Sequence, residues 1–543
     1  MNLNKLRIGL DFDNTLACYD EVFAKRAKVL GYLPGDWLGG KQSVKSELLK
    51  MPQGERNWQR LQGQVYGPTM DSAVLFSGVT SFLIRAKQKG YRIFIVSHKT
   101  KFGHQDETKT PLREKALQWM ARKGFFDASV FGILPTDVHF CDSREEKAVK
   151  IKDLEVDIFV DDLECVFEEK EFPAARKILF RTPPSNSFEG FACESWPEVS
   201  QEVLGTIEEE DCKALLQGVL DDEIKDVQPI QSGANSKVFR FCNSLGKHFL
   251  LKLYPDRALD NRPRLETEMQ ALESLRSGGM TPEPIALDLE RNLSVLEFLS
   301  GERPREIGEA ELNQALSFLK MLHELPTKVP DSFELASEAC LSAEEIERQI
   351  RMRLGKLQRI GHHKLLSFLN DVFSPLLGET LSWAKSLLGK KSSWSMKLPR
   401  DKRTLSPGDF GFHNSIQDSF GKLKFIDLEY FGWDDPAKLI AEFMLHPGMN
   451  LSQESKDRWL EGCLSIFEAI DRDLPLRLQA TTPLYALRFA LITLNPFLRW
   501  QKNNQTSHFS RLADADKEFA TGQILKAEQL CSLVKSDCLP SYA

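Results

Sequence analysis

The feature that most constrains how this chain can fold is a series of short apolar segments in its first 200 residues, each closing on polar or acidic residues. LRIGLDF (6–12), YRIFIVSH (91–98), ASVFGI (128–133), DVHFCD (137–142) and VDIFVDD (156–162) read as strands. PLREKALQWMARKG (111–124) reads as a helix between them, closed by its glycine. Apolar strands alternating with helices call for a parallel sheet covered on both faces. In such sheets function gathers at the carboxyl ends of the strands, so the acidic ends of these segments are expected to converge.

A length of 543 residues exceeds one ordinary core and suggests roughly three or four units of ~150 residues. With 71 basic against 78 acidic residues, interspersed and without a basic tract, nucleic acid is not an expected partner. Ten cysteines lie singly from Cys18 to Cys538 with no C-x-x-C pair, which suits reduced thiols in a cytoplasmic protein. The amino-terminal MNLNKLRIGLDFD lacks the apolar run of a signal peptide. No segment approaches the ~20 apolar residues of a membrane span, so no membrane insertion is expected.

Composition and periodicity divide the chain. Residues 1–200 carry the strand–helix alternation, with helical and turn-like sequence inserted at 18–75. Residues 201–227 read as a linker helix in an acidic stretch. Residues 228–300 are strand-rich around a single helix, and 301–543 are mostly helical.

DFDNT places Asp11 and Asp13 at the end of the first strand, where i and i+2 face the same side. One carboxylate can attack phosphorus while the other protonates the leaving oxygen. Ser97 ends the second strand, where its hydroxyl could hold a phosphate oxygen. Lys147, with Lys150 as a competitor, could neutralise charge, and Asp161 and Asp162 offer the oxygen ligands that Mg²⁺ prefers. Singly these are an ordinary cap, a solvated lysine and a turn; in this order, after apolar strands, they point to phosphoryl chemistry.

Over roughly residues 5–185 that order resembles the haloacid dehalogenase superfamily. The resemblance implies an α/β Rossmann-like parallel sheet, Asp11 as nucleophile, Asp13 as acid/base, Ser97 as phosphate ligand and Lys147 as the positive charge. It assigns Mg²⁺ to Asp11, Asp161 and Asp162, with Asp161 the direct ligand of the pair, and makes 18–75 a small helical cap over the site. Tyr19, Lys41 and Trp58 in the cap could meet a small phosphorylated substrate, although Trp58 better suits packing. Asn14 stands where the family more often has glycine.

A second motif follows 400 residues later. LSPGDFGFHN (405–414) sets Asp409 and Asn414 five positions apart, and Asp427 ends the apolar run KLKFID thirteen residues beyond Asn414. Kinases use this spacing for a proton-accepting aspartate and two metal ligands. Upstream, Lys252 follows three apolar residues in FLLKLY, and Glu268 sits on an amphipathic helix with Leu272 and Leu275. IQSGANSKVF (230–239) can turn over phosphates, with Gly233 and Asn235 as contacts.

Residues ~228–450 resemble the aminoglycoside phosphotransferase and choline kinase superfamily, with VLEFLSGERP similar to its hinge and DDPAKLIAEF to the segment after its metal aspartate. The resemblance implies a two-lobed protein-kinase-like α+β domain and assigns ATP to Gly233, Asn235, Lys252 and Glu268. Asn414 and Asp427 are its metal ligands, and Asp409 is the catalytic residue. Pro407 occupies the family's histidine position, and Glu429 and Asp434 could brace the loop. The expected protein is a cytoplasmic bifunctional enzyme that pairs an Mg²⁺-dependent phosphatase with an ATP-dependent kinase of a small hydroxylated molecule, a sugar or an amino alcohol. The alternative is one active domain governed by a catalytically silent, ligand-sensing partner.

Overall fold

The computed structural model describes residues 5–103, 109–230, 236–257, 260–325, 333–389, 394–449, 451–498 and 513–535. The chain divides into unit 1, residues 1–262 with 286–295, and unit 2, residues 263–285 with 296–543.

The strands of the first 200 residues are β1 (Arg7–Leu10), β2 (Ala17–Cys18), β3 (Val74–Leu75), β4 (Arg92–His98), β5 (Val138–Cys141), β6 (Ile158–Asp161), β7 (Arg176–Phe180) and β8 (Phe191–Cys193). Six of them form one sheet of order β5-β4-β1-β6-β7-β8 in which every pairing is parallel. Side chains alternate between its faces. Ile8, Leu10, Ile95 and Val160 join the larger core, whereas Phe94, Val96, Phe159 and Leu179 join the smaller one opposite. Gly9 is required by close approach, since a Cβ there would lie 2.4 Å from the Phe159 ring.

ASVFGI is not a strand. Asp127 accepts hydrogen bonds from the Ser129 amide and hydroxyl, folding the segment into a turn. Phe131 and Ile133 are buried all the same. Their apolarity reflects burial rather than extension, a distinction that a short apolar run does not carry.

The inserted segment forms three helices, Asp20–Val29, Lys41–Leu49 and Gly54–Tyr66. The antiparallel pair β2–β3 closes its base. Phe23 stacks on Trp58 at 5.1 Å, so the tryptophan packs within the insert.

After the helix Glu209–Leu216 come β9 (Lys225–Ile230), β10 (Lys237–Cys242), β11 (His248–Leu253), β12 (Pro284–Asp288) and β13 (Leu293–Glu297). They form a sheet of order β12-β13-β11-β10-β9. Gly233 and Asn235 lie outside the described residues.

Unit 2 is mainly helical. Helices Ala343–Gln358, Ser374–Leu388, Leu474–Thr493 and Ala513–Lys535 share a core built on Ile350, Leu377, Leu484 and Leu530. Four short strands, β14 (Thr404–Ser406), β15 (Ser415–Gln417), β16 (Leu423–Phe425) and β17 (Gly432–Asp434), frame the second motif as the pairs β14–β17 and β15–β16. Among the described residues no helix is long and apolar enough to cross a membrane.

Ion pairs at the part-exposed Glu338 and the buried Asp471 are expected to make unit 2 acid-sensitive. Burial alone would raise the Glu338 carboxyl, but the guanidinium groups of Arg488 and Arg353 outweigh it and hold it below its usual value of 4.5. At Asp471 burial is likewise outweighed by Arg477 and Lys402, which keep its carboxyl below 3.8. Groups depressed in this way stabilise the fold fully above the unfolded value and lose that contribution as pH falls through the folded one. Urea midpoints should therefore hold above about pH 5 and drop below about pH 4. Glu338→Gln should make that fall shallower.

Candidate functional site

Each unit carries one cluster of the residues singled out by sequence. In unit 1 the cluster stands at the carboxyl ends of β1, β4 and β6. Asp11 follows β1, Ser97 lies near the end of β4, and Asp161 closes β6. Lys147 comes from the first turn of the helix Arg144–Asp153, whose start is fixed by Ser143 accepting from the Glu146 amide while Glu146 accepts from the Asp142 amide. From that turn Lys147, rather than Lys150, reaches the carboxylates. Its ammonium donates to Asp11 and to Asp161, both at 2.6 Å, and the side chain is 2% exposed.

Asp13 is held separately. Lys99 donates to both of its oxygens at 2.9 and 2.8 Å, and the Tyr19 hydroxyl donates at 2.6 Å. Lys99 was not among the residues picked from sequence. Its only local signal was a cation two positions past Ser97 in VSHKT. Lys41 of the inserted helices places its ammonium 5.7 Å from the Phe23 ring and 5.8 Å from Tyr66. Asn14 takes φ +63°, a left-handed conformation that asparagine tolerates better than most residues, which accounts for its standing at a glycine-favouring position.

Ligand oxygens of Asp11, Asp161 and Asp162 lie within 4.8 Å of one another. Burial, opposed by Lys147 and reinforced by Asp11, pushes the Asp161 carboxyl up to about 6. Burial and the charges of Asp11 and Asp161 raise Asp162 as well. Such values mark negative charge that one lysine does not fully offset, and an all-oxygen donor set of this kind fits Mg²⁺.

In unit 2, β14 leads into the turn that carries Asp409. Gly408 adopts φ +84°, and a Cβ there would meet the Tyr430 Cβ at 2.5 Å. Gly408→Ala is accordingly expected to destabilise the protein by about 1–3 kcal/mol, read as a lowered thermal midpoint. The Asn414 side-chain amide donates to the Asp409 carbonyl at 3.0 Å. Asn414 immediately precedes β15 and accepts from the Ile426 amide at 2.9 Å, so the β15–β16 hairpin brings it to the same end as Asp427. Asp427 has φ +64°.

Glu268 lies on the helix Arg264–Leu275, is 1% exposed, and accepts from the Leu428 amide at 3.3 Å. Its carboxylate, with those of Asp427 and Glu429, forms a second cluster of oxygens within 4.8 Å, again suited to Mg²⁺. Arg264 pairs with Glu429, and Asp434 pairs with Lys438 at 2.7 Å, so both acids brace the loop. Lys252 is buried on β11 in unit 1, its ammonium 5.0 Å from the Tyr254 ring.

His413 and His446 were missed by sequence. The His413 Nε2 lies 2.9 Å from Asp409 Oδ1, and the two imidazoles stack at 3.8 Å. Burial would raise the Asp409 carboxyl, but the His413 hydrogen bond and the two histidines outweigh it and hold it below its ordinary value. Burial and the neighbouring His413 bring His446 down to about 4. These three residues also cluster within 4.8 Å, but the Gly448 amide donates to His446 Nδ1, which leaves the proton of the neutral ring on the Nε2 that faces Asp409. That arrangement suits hydrogen bonding better than metal ligation.

Residues 226–438 match the sequence model of the family described as "Phosphotransferase enzyme family". That match falls on the region holding Lys252, Glu268, Asp409, Asn414 and Asp427, and supports a phosphotransferase-type domain there. No curated protein matches the chain significantly. Solved structures that resemble it include Plasmodium vivax ethanolamine kinase, at 16% identity and TM-score 0.43, covering 64% of this chain and 95% of that one. Choline kinase from Streptococcus pneumoniae matches at 16% identity and TM-score 0.38, covering 60% and 98%. Choline kinase from Cryptosporidium parvum matches at 14% identity and TM-score 0.42, covering 61% and 98%.

Proposed function

We propose that the C-terminal domain transfers the γ-phosphate of ATP to a hydroxyl of a small molecule, a sugar or an amino alcohol. The observation that carries this reading is that the family match spans Asp409, Asn414 and Asp427, and that the last of these shares a cluster of oxygens with Glu268 and Glu429. Asp409 accepts the proton of the acceptor hydroxyl as its oxygen attacks phosphorus, and ADP leaves. Asn414 and Asp427, beside the other two carboxylates, would hold Mg²⁺, which supplies positive charge against the phosphate oxygens. Lys252, with Gly233 and Asn235, keeps its sequence assignment to the nucleotide phosphates.

The N-terminal domain, on the same proposal, is a phosphatase of a small phosphometabolite. Asp11 attacks phosphorus, and the departing alcohol takes its proton from Asp13. Asp13 then takes a proton from the water that releases phosphate and regenerates Asp11. Ser97 and Lys147 bind the phosphate oxygens, and Asp11, Asp161 and Asp162 would hold Mg²⁺. The approach of Lys147 to both Asp11 and Asp161 supports this reading.

A second reading is favoured by Pro407, which stands at the position of the family's catalytic-loop histidine: the kinase domain binds nucleotide without turnover and governs the phosphatase. ATP consumption and phosphate release across sugars, amino alcohols and their phosphates, measured for wild type, Asp11→Asn and Asp409→Asn, decide between them. Separate losses in the two variants support two working sites. ATP binding without turnover, insensitive to Asp409→Asn, supports the sensor.

A further inference from the structure

Pro407 leaves the catalytic loop without an imidazole two residues before Asp409, yet two other imidazoles reach the same carboxylate. The His413 Nε2 lies 2.9 Å from Asp409 Oδ1, and the His446 Nε2 lies 3.9 Å from that same atom. The far side of each ring fixes where its proton sits. The Gly448 amide donates to His446 Nδ1 at 3.2 Å, so that nitrogen is an acceptor and Nε2 carries the hydrogen of the neutral ring. The His413 Nδ1 is buried with no hydrogen-bond partner among the described residues. A hydrogen placed there would be a buried donor without an acceptor, so it belongs on Nε2, facing the carboxylate.

Packing holds both rings in place. They stack at 3.8 Å with 10° between planes, and Phe489 meets His446 edge-on at 5.6 Å. A Cβ on Gly411 would come within 2.7 Å of His413 Nδ1, so the backbone itself closes over that ring. The Asp409 side chain is meanwhile 43% exposed, which leaves it open to an incoming hydroxyl.

We infer that His413 and His446 are positioning residues for Asp409, replacing the loop histidine that Pro407 displaces with two Nε2–H groups, one four residues further along the same loop and one at the end of the helix Pro436–Leu445. Direct donation by His413, backed by His446 stacked behind it, fixes the rotamer of the carboxylate while its exposed part receives the substrate proton. This rests on the reading of Asp409 as the proton acceptor.

Two measurements on the full chain test it. Long-range ¹H–¹⁵N correlation on protein labelled at its ten histidines should show both rings as Nε2–H tautomers, assigned through His413→Gln and His446→Gln. A proton on Nδ1 of either ring overturns the inference whatever the activity. In Mg·ATP turnover with the acceptor panel and with water, His413→Leu should lower kcat by about 10- to 100-fold and leave KM for ATP within about two-fold. His413→Gln, whose amide can donate from nearly the Nε2 position, should recover most of that loss. An unchanged kcat in His413→Leu, with Asp409→Asn inactive, sinks the positioning role and leaves the kinase reading standing. Absence of turnover in wild type with every acceptor defeats the kinase reading and this inference with it, and the tautomer spectrum then describes a structural contact alone.

Discussion

Asp409→Asn is expected to lower ATP-dependent phosphoryl transfer by about 10²–10⁴-fold, the range over which a positioned proton acceptor acts. Mg·ATP binding should change by no more than about two-fold, because the residues assigned to nucleotide and metal are intact. The substitution keeps the shape of the side chain and an oxygen that can accept from His413, so the loop held by Asn414 and Gly408 should persist. On the proposed kinase reading, the lost capacity is acceptance of the hydroxyl proton during attack. Steady-state kinetics with isothermal titration of Mg·ATP separate the two quantities, and an unchanged thermal midpoint excludes unfolding as the cause. Undiminished turnover would remove Asp409 from the chemistry.

Lys147→Met should produce the largest stability change in unit 1. The ammonium lies 2.6 Å from each of two buried carboxylates, and methionine keeps much of the side-chain volume while deleting the charge. Removing one partner of such a group leaves uncompensated buried charge and is expected to cost about 3–5 kcal/mol. The sign follows from the titration. Burial lowers the lysine pKa, but Asp11 and Asp161 outweigh it and raise the value overall, so the charged form is the one that the fold favours. Adding Asp161→Asn to Lys147→Met should recover part of the loss, because the two side chains act as one network. Urea unfolding of the two single variants and the double variant measures this coupling. Additive effects would mean that the contact contributes little. Phosphate release, on the proposed phosphatase reading, should fall in Lys147→Met even where the protein remains folded.

The two clusters were legible in sequence to different depths. Asp11, Asp13, Ser97, Asp161 and Asp162 could be read because each lies at or just past the end of an apolar run, and a parallel sheet brings such ends together. Asp409, Asn414 and Asp427 could be read because their spacing is local to one loop and one hairpin. The strand expected at 128–133 failed because burial and extension leave the same short apolar signature, and the turn is made by Asp127, whose side chain accepts from Ser129 and whose carbonyl accepts from the Val130 and Gly132 amides.

The sequence by itself determined the alternation that builds the parallel sheet, the helical character after residue 300, and the aspartates at the centre of each cluster. These rest on periodicity and spacing over a few residues, where the chain's own geometry sets which side chains share a face. Only the tertiary structure decided which group answers each acid, and chose Lys147 over its sequence competitor Lys150. Lys99 reaches Asp13 across 86 positions, Lys147 reaches Asp11 across 136, and His446 comes to Asp409 from the far end of the helix Pro436–Leu445. Pairing between distant segments acts through space and carries no sequence period, so these partners are settled when the strands and helices pack.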